Sequence, residues 1–516
     1  MVTTLDTRPG DIARSALSPS FVGSLAFSVL GPALFSLAFA PFDLSAAGLV
    51  ALVPLFLLWS RLSLIQALCW GWVSGTLMFL AILYWTSVTV FQFVGPWSAL
   101  VLFLLCAIEG TAVAATAVTA SLVARGQFRL WSIFAISAAW TLFEYVRTNG
   151  SLGVPFGELG LIAAHAPWLL PVAAFGGVYL VTTVVVLVNA ALAALLVTSA
   201  SVRTAGTAAL VAVAAIVAAA NAYPAARIPA AVLKVGVVQG NVEQQSKWAP
   251  EEFAHSQAVY ADLTRHAASR GARVVVWPET AITESAPQDK ALLATLGELT
   301  KTNHIWLLAG TLDSPSLGAD YNALLNIAPG GSVDGVYHKH MLVPFAEYLP
   351  LAGILRNISL ADSTSSFLRG SGPHALSAAG LQWGPLICYE SAFAPYARAA
   401  VNAGADILVV VTDDAWFNDT PEPYQHLDAA VVQSVATGRW IVRAASTGVS
   451  AIINPQGKIV SALRVGEQGV LIGTVGKGIT TPFDRYGVTW LLDLSFIIVA
   501  LGLLSATRAQ RTKPSR

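Results

Sequence analysis

Between residues 19 and 222 the chain is almost devoid of ionisable side chains, whereas residues 232 to 480 have the texture of an ordinary soluble domain. A bilayer-spanning helix needs about 20 mostly apolar residues. The first block supplies such runs at 21–40, 44–60, 64–90, 96–123, 130–147, 167–197 and 204–222, and an eighth follows at 489–506. Only Ala40-Pro41-Phe42-Asp43 divides the first two, and the second is short. Buried core helices are the soluble alternative, but so many long runs would have no protein interior to fill. The whole chain carries 11% charged residues, where a soluble chain carries about 25%. The expected plan is a seven-span membrane domain over residues 1–228, a polar domain over 229–485, and an eighth span with a basic tail over 486–516.

The first run is expected to remain a helix. Asp6, Arg8, Asp11 and Arg14 precede it, but Ala38-Phe39-Ala40-Pro41 is a poor signal-peptide release site because proline follows at once. Orientation is read from basic residues in short loops. Arg61, Arg125, Arg129 and Arg203 follow the even-numbered runs, and Arg508, Arg511, Lys513 and Arg516 follow the last. That pattern places both termini in the cytoplasm and the polar domain outside, which an odd number of preceding spans requires. Arg147 is the exception, with Glu144 one turn away. Glu109, Glu144, Arg147 and Glu158 are expected to pair locally, since charge near the membrane faces protein or water. Trp85, Trp97, Trp140 and Trp168 fall near run boundaries and are expected as interfacial anchors.

In the polar segment, apolar strand-like stretches alternate with helix-compatible ones, which indicates a layered α/β domain with mixed sheets. Strands are expected at Leu233–Gln239, Arg273–Trp277, Ile305–Gly310, Tyr321–Ile327, Gly335–Lys339, Leu386–Ile387, Ile407–Val411, Trp440–Ala445 and Val449–Ile453. Active groups of such sheets sit just beyond strand ends. Glu279, Lys339, Cys388 and the Thr412-Asp413-Asp414 segment all fall at or beside such ends. Cys388 is the lone cysteine of this domain, so it has no internal disulfide partner and either packs passively or acts as a nucleophile. Glu279 would be its base if the two meet, or else a surface carboxylate after a proline turn. Lys339 would stabilise a developing oxyanion. His338 and His340 flank Lys339 but alternate to the other face of a strand, so no metal site is expected.

Several segments carry a resemblance. Ala38-Phe39-Ala40-Pro41-Phe42 is followed by Val53-Pro54-Leu55, Pro155-Phe156-Gly157 by Gly176-Gly177-Val178-Tyr179, and Gln239-Gly240-Asn241 by Lys247-Trp248. Trp277-Pro278-Glu279, Lys339 with Val343-Pro344-Phe345-Ala346-Glu347, Cys388-Tyr389-Glu390, Asp414-Ala415-Trp416-Phe417 and Gln425-His426 complete the set. Along nearly its whole length the chain resembles the bacterial apolipoprotein N-acyltransferases, the membrane branch of the carbon-nitrogen hydrolase (nitrilase) superfamily. Two departures are visible: Asp414 stands where the family usually has Asn, and Ala445-Ser446-Thr447-Gly448 replaces a run that usually contains Asn.

The resemblance implies a multi-pass α-helical membrane domain of about eight spans plus an extracytoplasmic αββα sandwich with a Glu279, Lys339 and Cys388 triad. It implies a monomer in the bacterial inner membrane, with no cofactor. The implied reaction moves a fatty acyl chain from a phospholipid donor, through a Cys388 thioester, to the N-terminal cysteine amine of a diacylglyceryl apolipoprotein. Trp248, Phe345, Trp416 and Phe417 are candidate acyl-lining or lid residues, with ordinary packing as the alternative. Glu347, Tyr389 and Glu390 are candidate supporting residues, with core ion pairing as the alternative for the two glutamates. A membrane-anchored hydrolase and a non-enzymatic scaffold are the rival functions. A net charge of zero, with no basic cluster outside the tail, argues against nucleic-acid binding.

Overall fold

The computed structural model describes residues 20–511 except 126–127, 151, 198, 224–228, 351–365 and 418. The N-terminal charges Asp6 to Arg14 and the tail residues Lys513 and Arg516 lie outside the described residues. Five helical segments are long and apolar enough to cross a membrane: Leu64–Leu83, Trp85–Ala124, Leu170–Leu195, Ala200–Ala222 and Thr489–Ala506. Eight spans were expected, and the other three fall short for visible reasons. The first helix, Phe21–Leu37, is 17 residues long, and the run at 44–60 breaks into Ser45–Gly48 and Val53–Trp59. The third, Leu130–Thr148, carries Glu144 and Arg147 in its last turns.

Those charges form a knot. Arg147 contacts Glu109 at 3.2 Å and Glu144 at 3.5 Å, and its guanidinium also donates to the carbonyls of Val154, Phe156 and Gly157. The pairing explains how this arginine departs from the loop pattern of basic residues. Trp97 and Trp168 are exposed, as anchors should be. Trp85 and Trp140 are not: both are buried, Trp85 against Phe156 and Phe417, and Trp140 donating to Glu144 at 3.1 Å.

The polar domain is two mixed sheets face to face. The strands are β1 (Leu233–Gln239), β2 (Val274–Val276), β3 (Ile282–Ser285), β4 (Trp306–Ser316), β5 (Ala319–Ile327), β6 (Val333–His338), β7 (Leu376–Ala378), β8 (Leu381–Ile387), β9 (Ile407–Thr412), β10 (Trp440–Ala445), β11 (Ser450–Ile453), β12 (Ile459–Leu463) and β13 (Gly469–Val475). One sheet runs β13-β1-β2-β4-β5-β6, with β3 beside β4, and the other runs β12-β11-β10-β9-β8-β7. Alternation sends Val235, Val237, Val274 and Val276 from one sheet against Trp383, Ile407, Val409 and Val442 from the other. Their opposite neighbours face outward: Val275 and Leu307 pack under the helices Pro250–Ser269 and Lys290–Asn303 through Tyr260, Ala267 and Leu296.

On the far sheet the covering helices are Ala394–Asn402 and Glu422–Thr437. The second of these is buried along nearly all its length. It is covered by its own sheet on one side and by the membrane-domain segments around Leu159–His165 and Ala173–Leu195 on the other. Polar and membrane domains therefore share one continuous apolar core, not a flexible tether.

Strands β1, β2 and β4 are mutually parallel, as are β8, β9 and β10. Two antiparallel steps, β4 to β5 and β5 to β6, return β6 to the direction of β4. The chain thus leaves β2 and β6 at one end of the first sheet and β8 and β9 at one end of the second. Those exits hold the site.

Candidate active site

Glu279 lies three residues past β2, and Gly310 on β4 lets its loop settle against the sheet. A Cβ at Gly310 would lie 2.1 Å from Pro278 O and 2.7 Å from Glu279 Cα. Lys339 follows β6 directly, its N–H donating to Asn322 O at 2.8 Å. Cys388 follows β8 and has a φ of +50°, a left-handed conformation that is strained for a residue with a side chain. The elements that converge here are separated by tens of residues in sequence and are joined only by the fold.

Glu279 and Lys339 are buried and paired, with Lys339 Nζ 3.1 Å from Glu279 Oε1 and 2.8 Å from Glu347 Oε1. Burial works against both charges, but each holds the other ionised: the ammonium sets Glu279 below the usual carboxylate range, and the two glutamates raise Lys339 well above an ordinary lysine. Cys388 lies within the field of both. Burial pushes its thiol well above the ordinary value, and the Glu279 charge pushes the same way against the pull of Lys339. The resting cysteine is accordingly a thiol beside a carboxylate that is able to accept its proton, with an ammonium beyond.

Glu347 is set by Val343 N–H, which donates to its Oε2 at 2.8 Å, and by Asn322 Nδ2 at 3.1 Å from its Oε1. Glu390 touches neither Lys339 nor the thiol. It accepts from the N–H groups of His340 (2.7 Å), Met341 (3.0 Å) and Ile387 (2.8 Å), and from Tyr337 Oη, so it ties the lysine loop to the cysteine loop. Tyr389 donates to Gly153 O in the membrane domain. Trp416 and Phe417 meet the helix Trp85–Val94: Thr89 donates to Trp416 O at 3.2 Å, and the Phe417 and Trp85 rings lie 5.2 Å apart edge to face. Trp248 and Phe345 are roughly half exposed, Phe345 with a φ of +64°. His338 bonds Asp313 at 2.7 Å and His340 bonds Gly370 O at 2.7 Å, so neither turns to Lys339.

Three further participants were given no role from sequence, although Asp413 had been placed with its segment at a strand end. Asn322 of β5 donates to Glu279 Oε1 at 2.7 Å while bridging to Glu347. Lys247 is buried and holds Asp413 Oδ2 at 2.6 Å, Thr280 Oγ1 at 2.7 Å and Glu279 O at 3.2 Å. Asp413 in turn donates its N–H to Glu279 Oε2 at 2.9 Å. The signal for Lys247 was its place beside Trp248; Asn322 had none beyond its position on a strand.

The arrangement joins a buried carboxylate, an ammonium and a thiol, a set suited to covalent acyl chemistry on an ester or amide carbonyl. The carbon-nitrogen hydrolase family model matches residues 234–481, and that of the apolipoprotein N-acyltransferase N-terminal domain matches residues 31–191. The apolipoprotein N-acyltransferase of Pseudomonas syringae pv. tomato is 33% identical, the alignment covering 96% of this chain and 99% of that one. That of Azotobacter vinelandii is 32% identical, over 96% and 97%. Among solved structures, an amidase from Nesterenkonia sp. aligns with 52% of this chain and 99% of its own, at 18% identity and a TM-score of 0.40. By its match to full-length relatives across both domains, the chain belongs to the apolipoprotein N-acyltransferase family.

Proposed function

We propose that the protein transfers a fatty acyl chain from a phospholipid to the N-terminal cysteine amine of a diacylglyceryl apolipoprotein, through a thioester on Cys388. The observation that carries this reading is the buried Lys339–Glu279 contact of 3.1 Å with the Cys388 thiol in the field of both groups. Glu279 takes the thiol proton as the sulfur attacks the donor's ester carbonyl, and Lys339 faces the developing oxyanion. Collapse of the tetrahedral species expels the lysophospholipid alkoxide, which receives the proton from Glu279. The acceptor amine then attacks the thioester carbonyl and gives its proton to Glu279. Cys388 leaves as thiolate and regains that proton, so the enzyme returns unchanged.

Glu347 and Asn322 position the ammonium and the base, Glu390 and Tyr389 hold the cysteine loop, and Trp248, Phe345, Trp416 and Phe417 line the acyl path. Withdrawing an acyl chain from the bilayer costs about 0.8 kcal/mol per exposed CH₂, which favours a site at the membrane surface. Burial of Glu422–Thr437 against the membrane domain supports that placement. The topology consistent with it has eight spans, counting Phe21–Leu37, Ser45–Trp59 and Leu130–Thr148 with the five long helices. The domain then lies outside the inner membrane and both termini lie in the cytoplasm. Residues 1–228, 229–485 and 486–516 are the corresponding units.

The test is product identity with purified enzyme in detergent, given phospholipid and a diacylglyceryl peptide. N-acyl peptide and lysophospholipid in equal amounts are expected. Free fatty acid alone would mean hydrolysis, and absence of any acyl adduct on Cys388 in the intact-protein mass would mean a scaffold.

A further inference from the structure

A chain of buried side chains runs from β10 to the backbone of the nucleophile. Arg443 Nη2 donates to Asp414 Oδ2 at 2.8 Å and lies 3.2 Å from His426 Nδ1, while its Nε donates to Val449 O at 3.1 Å. His426 Nε2 lies 2.6 Å from Ser391 Oγ, and that hydroxyl donates to Cys388 O at 2.8 Å. Arg443, Asp414, His426 and Ser391 are all buried. Asp414 Oδ1 and Glu422 Oε1 stand 3.7 and 3.6 Å from His426 Nδ1, beyond hydrogen-bonding distance.

Proton inventory fixes the direction of each link. Arginine only donates, so His426 Nδ1 accepts and its Nε2 carries the hydrogen. Burial, then the Arg443 charge, hold His426 neutral, in agreement. Serine has one proton, and it is committed to Cys388 O, so Ser391 accepts from His426. Every link therefore donates the same way, from guanidinium to imidazole to hydroxyl to the Cys388 carbonyl.

That carbonyl belongs to the residue that needs holding. Cys388 has a φ of +50°, and such strain persists only where the surroundings over-determine it. His426 is itself fixed from the membrane side, because it lies on Glu422–Thr437 between two residues bonded to the membrane domain. Gln425 accepts from Trp85 Nε1 at 3.3 Å and donates to Ile82 O at 3.2 Å, and Asp428 Oδ1 lies 2.9 Å from His165 Nε2.

We propose that His426 is a positioning residue, which acts through Ser391 on the Cys388 carbonyl and holds the cysteine in its left-handed backbone beside Glu279 and Lys339. The proposal rests on Cys388 being the nucleophile. It makes the helix at the domain junction the link between membrane-domain packing and the reacting loop.

The test uses the full-length enzyme in detergent and follows two adduct masses on Cys388, the acyl adduct formed from phospholipid and the iodoacetamide adduct against pH. Ser391→Ala and His426→Leu should each slow acyl-adduct formation at saturating phospholipid about tenfold to a hundredfold, with the half-saturating concentration unchanged. Burial, then the Glu279 charge, raise the native thiol against the pull of Lys339. A relaxed loop therefore moves the alkylation midpoint down. His426→Gln keeps a donor for Ser391 and an acceptor for Arg443, and should recover most of the lost rate. In a Ser391→Ala background His426→Leu should cost nothing further, because the chain is already cut. Ser391→Ala is the smaller change and decides alone where His426→Leu fails to fold. Native adduct formation in Ser391→Ala, or a slower rate with an unmoved midpoint, would overturn the proposal. So would equal losses in His426→Gln and His426→Leu, or losses that multiply in the double variant. Failure of the nucleophile reading looks different, and the proposal falls with it: the native enzyme would form no acyl adduct, and Cys388→Ser would keep full transfer.

Discussion

The N–H of Asp413 donates to Glu279 Oε2 at 2.9 Å, so the carboxylate at the end of β2 is hydrogen-bonded to the exit of β9 in the opposite sheet. Glu279 is therefore held by both halves of the sandwich. Asn322, Lys339 and Asp413 together occupy both oxygens of Glu279.

Glu279→Gln separates two effects of this carboxylate. The amide cannot take the thiol proton, so transfer falls by about 10²- to 10⁴-fold. After burial, the Glu279 charge is the main influence raising the Cys388 thiol. Removing it moves the alkylation midpoint down. Faster alkylation with lost transfer is the expected pair. In the native enzyme Lys339 keeps Glu279 below the usual carboxylate range, so any acid loss of transfer through this group lies below about pH 4.3. A midpoint that rises in Glu279→Gln would refute the assignment.

Gly310→Ala tests whether the base is placed by a backbone contact. The added Cβ would meet Pro278 O and Glu279 Cα, neither of which is a side chain able to swing aside. Overpacking of this kind costs about 1–3 kcal/mol, and a 1 Å displacement of a catalytic group costs about 10²-fold in rate. Transfer should drop by about that factor while the protein still folds. Unchanged turnover would show that the loop has slack.

Lys247→Met addresses stability more than chemistry. Lys247 and Asp413 are both buried and 2.6 Å apart. Removing the cation leaves a carboxylate in the interior without its counter-charge, a loss of about 3–5 kcal/mol. The apparent melting temperature should fall sharply, and adding Asp413→Asn should restore much of it. A variant as stable as the native protein, without the second change, would contradict the pairing.

Legibility from sequence followed the range of the interactions. Glu279, Lys339 and Cys388 could be picked out because each ends a short apolar run, and strand exits are where the fold puts chemistry. A layered α/β domain with mixed sheets was readable from the alternation of runs such as Ile407–Val411 with helical stretches, and its sandwich arrangement came from the resemblance. Asn322 and Asp413 were not readable as partners of Glu279, because nothing local records a contact spanning 43 or 134 positions. Lys247 was passed over in favour of Trp248, since lysine ordinarily points to water. In the fold the lysine is buried and the tryptophan is roughly half exposed. Run length alone did not show which of the eight expected spans would form one long apolar helix, and five of them do among the described residues. Helix ends depend on breaks such as Leu49–Leu52, which splits the run at 44–60, and apolarity does not show them.

Sidedness is tested by placing a thiol at an exposed turn of the polar domain. Leu317, between β4 and β5, is fully exposed, so Leu317→Cys adds a reactive group without touching the core. Ser199 is also exposed and lies between Leu170–Leu195 and Ala200–Ala222, on the side assigned to the cytoplasm by Arg203. With a membrane-impermeant maleimide on intact cells, Leu317→Cys should gain label over the parent, which already has Cys69, Cys106 and Cys388. Ser199→Cys should gain it only after lysis. The two probes are separated by one span, Ala200–Ala222, so their opposite behaviour also requires that helix to cross. Labelling of Ser199→Cys first would invert the topology and put the Cys388 site on the wrong side for an exported acceptor.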